Sequence, residues 1–392
     1  MKHDTVIEDS PSDADFERRG FLAMFGSAVV PSCWAALRGA SAGMALGATT
    51  LPAANVSKLR ATVVSRNRVT RGEARHRAFP GLLRLDDGTL LIFYREGTNH
   101  WKTDDSVLKL TRSTDGGKTW SDSQTLLMEK GWGFAAHHGP ALLSDGSILA
   151  PAVALRHHQG PFFDFRVFAM RSVDSGRKWD IQQVGPLPGW VWQNQYGRVL
   201  EIDGELWLPG GGQREGDETW YNGFFVSRDN GKTWPQWREV AAGRNEKDIL
   251  ELPDGRLLAM IRGLKQTLRS YSTDRGQTWS KPEKLDLFGQ SPCLLSLPNG
   301  VILFAYRQVR PKSSYGVGLA VCDDNGRTWR ELAPLYVSAG KTKAAFDCGY
   351  PSMALDESGD VLCAYYTTFK KGDCHIEIAR IKIVEGSPIP SK

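Results

Sequence analysis

Glu246, Tyr350 and His137 each lie nine residues before a turn glycine, and Arg95, Arg262 and Arg307 each lie seven residues after one. The six glycines are Gly88, Gly146, Gly204, Gly255, Gly300 and Gly359. The remaining positions at these two offsets hold Phe79, Gln195, Ser291, Val153, Gly211 and Tyr366. In a hairpin that turns at the glycine, the two offsets fall nearly opposite each other at the open end. Guanidinium groups, a carboxylate, a phenol and an imidazole gathered on one concave centre make a binding site. An arginine placed there needs an anion, which is either a neighbouring carboxylate or a ligand.

The elements that position these groups are read from two interleaved repeats. Each glycine closes a short turn, Asp87-Gly88, Asp145-Gly146, Asp203-Gly204, Asp254-Gly255, Asn299-Gly300 or Ser358-Gly359, between two apolar runs. Asp-Gly and Asn-Gly favour two-residue hairpin turns. A second motif occurs five times, at Ser113–Trp120, Ser172–Trp179, Ser227–Trp234, Ser272–Trp279 and Cys322–Trp329. It has the logic of a tight hairpin: Asp accepts turn amides, Gly takes a positive φ, and Trp packs between sheets. Two hairpins make four strands, and six such units predict an all-β fold, a six-bladed β-propeller of four-stranded antiparallel blades. The alternating run His375–Ile383 is expected to pair with a strand near residues 61–69 and close the ring. No candidate helix of any length follows the first fifty-odd residues.

The 392 residues carry a net charge of +5 spread along the chain, with no basic run that would mark a nucleic-acid or membrane-surface patch. This mild basicity fits an acidic ligand. Residues 1–54 differ from the rest: Glu17-Arg18-Arg19-Gly20-Phe21-Leu22 precedes an apolar, small-residue stretch. That order resembles a twin-arginine export signal, so a periplasmic or secreted protein is expected, with cleavage near Ala54 and a single domain over 55–392. The rival reading, a membrane anchor, is opposed by Pro31, Arg38 and many glycines in the apolar run. No later stretch is long and apolar enough to span a bilayer. Cys33 lies in the signal, and the other five cysteines form no Cys-x-x-Cys, so neither a zinc knuckle nor a redox motif is indicated. No metal or other cofactor is expected.

The five-fold motif, Ser-x-Asp-x-Gly-x-Thr-Trp with Lys178 for Thr in the second copy and Cys322 for Ser in the fifth, resembles the Asp-box of sialidases, and the likeness extends over roughly residues 61–383. In that family a Glu opens one inner strand with an arginine sixteen residues later, as in Glu246 and Arg262, and a Tyr opens the last blade, as in Asp347-Cys348-Gly349-Tyr350-Pro351. The resemblance implies an exported exo-alpha-sialidase-like glycoside hydrolase acting on an anionic glycan. Tyr350 would be the nucleophile, Glu246 its base, and Arg262 the anion ligand, helped by Arg77, Arg95 or Arg307. His100 or Asp105 would be the acid/base group. This chain departs from the family at the first arginine, where Ala78 stands beside Arg77. It departs at the third, where Ser314 stands near Arg310, and at the acid/base Asp, where the nearest match is His100. A second reading is a lyase of uronic-acid polymers that uses His137, Tyr196 or Tyr350, and Arg262. A third is a glycan-binding propeller without turnover.

Overall fold

A computed structural model describes residues 56–71, 75–100, 104–136, 138–157, 163–194, 196–243, 246–264, 266–310, 314–338, 347–370 and 373–385. The proposed export segment and His137 lie outside the described residues. The repeats fold into antiparallel meanders arranged as a β-propeller. The first runs through His76–Arg84, Leu90–Gly97, Val107–Ser113 and Gln124–Leu127. In the fourth, Lys247–Glu251, Leu257–Ile261, Leu268–Ser272 and Glu283–Lys284 follow in the same order. The last consists of Gly349–Leu355, Val361–Lys370 and Asp373–Glu385, and its fourth strand is the N-terminal Leu59–Arg68. That closing pair is antiparallel, with Ala61 opposite Ile383. The first and last described strands are thereby locked into one meander.

Hydrogen bonding groups the described strands into five sheets, not the six separate blades that the repeats predict. The reason is one parallel pair, His76 with Cys374, which joins the last meander to the first in a sheet of eight strands. Apolar clusters fill the space where successive meanders face each other. Leu91 and Phe93 of the first meander meet Ile148 and Ala150 of the second, and Leu258 and Met260 of the fourth meet Ile302 and Phe304 of the fifth. Burial of these faces, with little help from helices, is what holds the ring together. Among the described residues no helix is long and apolar enough to cross a membrane. Cys293, Cys322, Cys348, Cys363 and Cys374 are buried, and no disulfide joins them among the described residues.

The Asp-box hairpins use the aspartate as an acceptor hub. Asp115 Oδ1 accepts Ser113 Oγ at 2.8 Å and the amides of Lys118 and Thr119 at 3.0 and 2.9 Å, while Thr119 Oγ1 donates to Oδ2 at 2.6 Å. In the fifth box Cys322 replaces the serine, and its Sγ donates to Asp324 Oδ1 at 2.9 Å. Two consecutive residues in each box take the left-handed conformation, not the glycine alone. Asn230 (φ 58) and Gly231 (φ 82) are one such pair.

The inner strands carry a second, less expected use of that conformation. Phe79, Ser291 and Tyr350 have φ of 60, 51 and 51, and each precedes a proline. At each, one extra residue bulges from the ladder: Ala78 pairs with Arg95 and Gly81 with Phe93, Gln290 with Arg307 and Cys293 with Ala305, Gly349 with Tyr366 and Ser352 with Ala364. The proline has no N–H to give to the ladder, so the break in pairing sits where a donor is already missing. The two offsets counted from the turn glycines are therefore one residue out of register in three meanders. Among the described residues they stay opposite only at Glu246, whose carbonyl accepts the amide of Arg262 at 2.9 Å.

The box aspartates set an acid limit. Hydroxyl and amide bonds from Thr119, Thr233 and Thr278 hold Asp115, Asp229 and Asp274 at about 2, below the ordinary 3.8. Their contribution to stability is complete above about pH 4 and is lost as pH falls through about 2. Thermal melts between pH 7 and pH 2 are expected to show a flat Tm above pH 5 and a steep fall below pH 4. A Tm independent of pH down to 2 would contradict this.

Candidate active site

Tyr350 opens the inner strand of the last meander, and its bulge turns the ring into the centre. Its Oη donates to Glu246 Oε1 at 2.8 Å. The same oxygen accepts Arg262 Nη1 at 2.8 Å, and Oε2 accepts the amide and the hydroxyl of Ser291 at 2.9 and 3.0 Å. Glu246 is 4% exposed. Burial alone would raise its pKa, but Arg262, Tyr350 and Ser291 outweigh it and hold the carboxyl below the usual range. Desolvation, with the Glu246 charge added, pushes the Tyr350 phenol upward. The resting pair is thus a neutral phenol on a charged carboxylate. The phenol can give up its proton only as its oxygen forms another bond.

Arg307 joins this group from the fifth meander. Its guanidinium lies over the Tyr350 ring, 5.9 Å from the centroid, and its alkyl stem packs on Gly349. A Cβ on Gly349 would stand 2.7 Å from Arg307 Cγ, and the backbone there has φ +111. That glycine lets the arginine stem and the tyrosine strand approach closely. Phe79, Tyr196 and Tyr366 wall the phenol, with ring centroids 4.8, 5.7 and 6.0 Å from that of Tyr350.

Asp347, three residues before Tyr350, organises the other side. Its carboxylate accepts His100 Nδ1 at 2.8 Å and Tyr366 Oη at 2.9 Å on Oδ1, and His76 Nε2 at 2.9 Å on Oδ2. Burial opposes its charge, yet His100 and His76 hold its carboxyl far below the usual range. Arg95 Nη1 donates to His76 Nδ1 at 3.1 Å. Arginine has no acceptor, so His76 carries its proton on Nε2 and is neutral, in line with the downward shift that burial gives it. With Nδ1 of His100 given to Asp347, Nε2 is the nitrogen through which that ring can exchange a proton. The His100 and Tyr350 rings lie against the same Phe79, at 5.3 and 4.8 Å.

The structure thus brings together Tyr350, Glu246, Arg262, Arg307 and, across Phe79, His100. It places the other expected residues differently. Arg95 is buried behind His76, and it also donates to the Asn99 carbonyl at 2.9 Å. Arg77, one residue from Ala78, points to the opposite face of its strand and pairs with Glu96 at 2.7 Å. Asp105 bonds Thr98 across the base of its own loop. Asp347, His76 and Ser291 were given no role by the sequence. The offset count had marked Ser291, and Asp347 stood in the motif that carries Tyr350. His76, His100 and Asp347 present ligand atoms within 4.8 Å of one another, enough by position for a metal ion. The Arg95 cation on His76 and the bonds already made to Asp347 disfavour one.

Removing Arg262 tests the electrostatics of this group. Glu246 would keep its charge with its strongest partner gone, so Arg262→Ala is expected to cost about 3 kcal/mol of unfolding free energy at neutral pH. The deficit should shrink as pH falls toward 4, because the buried carboxylate can then be neutralised. Urea denaturation of both proteins at two pH values measures it. A deficit independent of pH would show that Glu246 is not the charge involved.

The family model described as a BNR repeat-like domain matches residues 59–195 and 169–363. A sialidase of Bacteroides fragilis (strain YCH46) is 26% identical over 304 residues, covering 67% of this chain and 55% of that protein. The chain spans about half the length of the curated relatives it matches. Among solved structures, a Dyadobacter fermentans protein of unknown function superposes with a TM-score of 0.72 at 21% identity, over 85% of this chain and all of that one. A Hadza microbial sialidase superposes with a TM-score of 0.61 at 19% identity, over 78% of this chain and 65% of that one. These structural likenesses concern the fold alone. The repeats, the propeller and the family match lead to one assignment: the chain belongs to the BNR repeat-like family of the sialidase superfamily.

Proposed function

We propose that this protein is a sialidase-like glycoside hydrolase that acts on an anionic glycan, with Tyr350 as nucleophile and Glu246 as its base. The observation that carries the reading is the 2.8 Å bond from the Tyr350 hydroxyl to a carboxylate that is itself fixed by Arg262 and Ser291. A phenol is neutral until it reacts, so it does not repel a sugar bearing a carboxylate. Attack on the anomeric carbon breaks the glycosidic bond, forms a Tyr350–sugar bond and passes the phenolic proton to Glu246. His100, oriented by Asp347, gives a proton to the leaving oxygen and then takes one from the water that hydrolyses the intermediate. Arg262 and Arg307 bind the substrate anion beside the phenol.

The acid/base group in this reading is a histidine and not a carboxylic acid, and that favours a second reading. His100 and Tyr350 both pack on Phe79, and an imidazole and a phenol so close together suit the base and the acid of a β-elimination from a uronic acid. The products separate the two. A fluorogenic sialoside and uronic-acid polymers should be assayed in parallel, with mass and ultraviolet detection. The hydrolase reading predicts release of a saturated free sugar. Glu246→Gln should lower kcat by roughly 10²–10⁴ with little change in KM. Tyr350→Phe should do at least as much. An unsaturated product, or wild-type turnover by Tyr350→Phe, would overturn it.

A further inference from the structure

The inner strands that carry the candidate active site run on to a second cavity. His76–Phe79 and Tyr350 mark the open end of the propeller, whereas Leu82–Arg84 and Met353–Leu355 lie further along the same strands, about 10 Å nearer the turn glycines. A pocket of about 320 Å³ opens at this turn end. Leu82, Val199, Met353 and Leu355 give it apolar walls, and polar side chains reach it from His138, Arg198, Arg84 and Ser352. That size and lining suit a small ligand with an apolar body and one polar end.

The polar groups specify that end. Asp248, with no side-chain exposure, accepts Arg198 Nε at 2.7 Å and the Ile249 amide at 3.0 Å on Oδ1, and Arg198 Nη2 and the Leu294 amide, both at 2.6 Å, on Oδ2. Its acceptor capacity is taken. His138 is 5% exposed, and neither of its ring nitrogens has a hydrogen-bond partner among the described residues. Its Nε2 is 3.6 Å from Asp248 Oδ2, an ion-pair contact too long for a hydrogen bond. Burial works against an imidazolium here, but Cys293 and Asp248 outweigh it and raise His138 to about 9. A buried imidazole whose two ring nitrogens both lack a partner is costly unless a ligand pairs with it. Arg198 also lines the pocket; its Nε and Nη2 are engaged by Asp248 and the Leu294 carbonyl, which leaves Nη1 as its available donor. His138, Asp248 and Cys293 stand close enough to ligate a metal, yet the guanidinium seated on Asp248 opposes a cation.

We propose that the turn-end pocket binds a small carboxylate with an apolar body, its carboxylate accepting from His138 and Arg198. This site is separate from the Tyr350 centre and does not depend on what that centre catalyses. Benzoate is a suitable probe, and benzyl alcohol is its uncharged counterpart. Isothermal titration should be run on the wild type, His138→Gln, Ala354→Phe and Arg262→Ala, each checked for a cooperative melt. Ala354 is half-buried on the pocket wall, so Ala354→Phe fills the space without touching the polar network. Saturable benzoate binding is expected in the wild type and in Arg262→Ala. It should weaken about tenfold or more in His138→Gln and in Ala354→Phe, as loss of a charged hydrogen bond or of the space requires. Benzyl alcohol should bind far more weakly. Binding lost in Arg262→Ala but kept in Ala354→Phe would move the carboxylate to the open end and overturn the proposal. Equal affinity for benzyl alcohol, or no saturable binding of benzoate, would overturn it too.

Discussion

A carboxylate taken out of water keeps its charge only if donors replace the water, and Glu246 is arranged around that requirement. Four donors reach it from three places: Arg262 on its own hairpin, the amide and hydroxyl of Ser291 on the next meander, and Tyr350 from the last. Each donor contributes to a negative charge that would otherwise cost several kcal/mol to bury. The same bonds fix the phenol. Because Glu246 is a poor resting base, the pair stays inert until an electrophile arrives, and the proton then moves along a bond already made. The lowered carboxyl and the raised phenol are two views of one arrangement.

That arrangement depends on the backbone as much as on the side chains. Among the described residues nine non-glycine positions have a positive φ: four stand in the Asp-boxes, Asp203 in a hairpin turn, and Phe79, His138, Ser291 and Tyr350 on or beside the inner strands away from the turns. Each such residue costs on the order of 1 kcal/mol or more against a regular strand. Three of them precede a proline where the ladder already lacks a donor, so the bulge turns a side chain inward without leaving a buried N–H unpaired. The fourth, His138, serves the other end of the channel. In the Asp-boxes the same conformation serves a tight turn, whereas on the inner strands it aims a side chain, a use expected where function and not stability selects the conformation.

Much of this was legible in the sequence. Turn glycines and Asp-boxes have local causes, a tight turn and an acceptor hub, so spacing alone located the hairpins and ordered the meanders. The offset from each glycine also brought Glu246, Tyr350, Arg262 and Arg307 to one centre. It failed where the cause was not local. The bulges change the register by one residue, and a count along the chain cannot see them. The parallel contact of His76 with Cys374, which merges two meanders into one sheet, depends on how the ring closes. Arg77 looked one residue out of place and is in fact turned to the other face, where Glu96 holds it. Asp347 was invisible as a functional group because its partners, His76, His100 and Tyr366, come from distant parts of the chain.

The central claim is that the Tyr350 oxygen is the atom that attacks. A sialosyl fluoride carrying a second fluorine beside the anomeric carbon destabilises the transition states of both steps, and its good leaving group still lets the first proceed, so a covalent intermediate accumulates. Incubation with the protein, followed by proteolysis and peptide mass mapping, locates the adduct. The account predicts one sugar per chain on the peptide containing Tyr350, formed slowly in Glu246→Gln and absent in Tyr350→Phe. An adduct on Glu246 or on any other residue, or one that still forms in Tyr350→Phe, would contradict it.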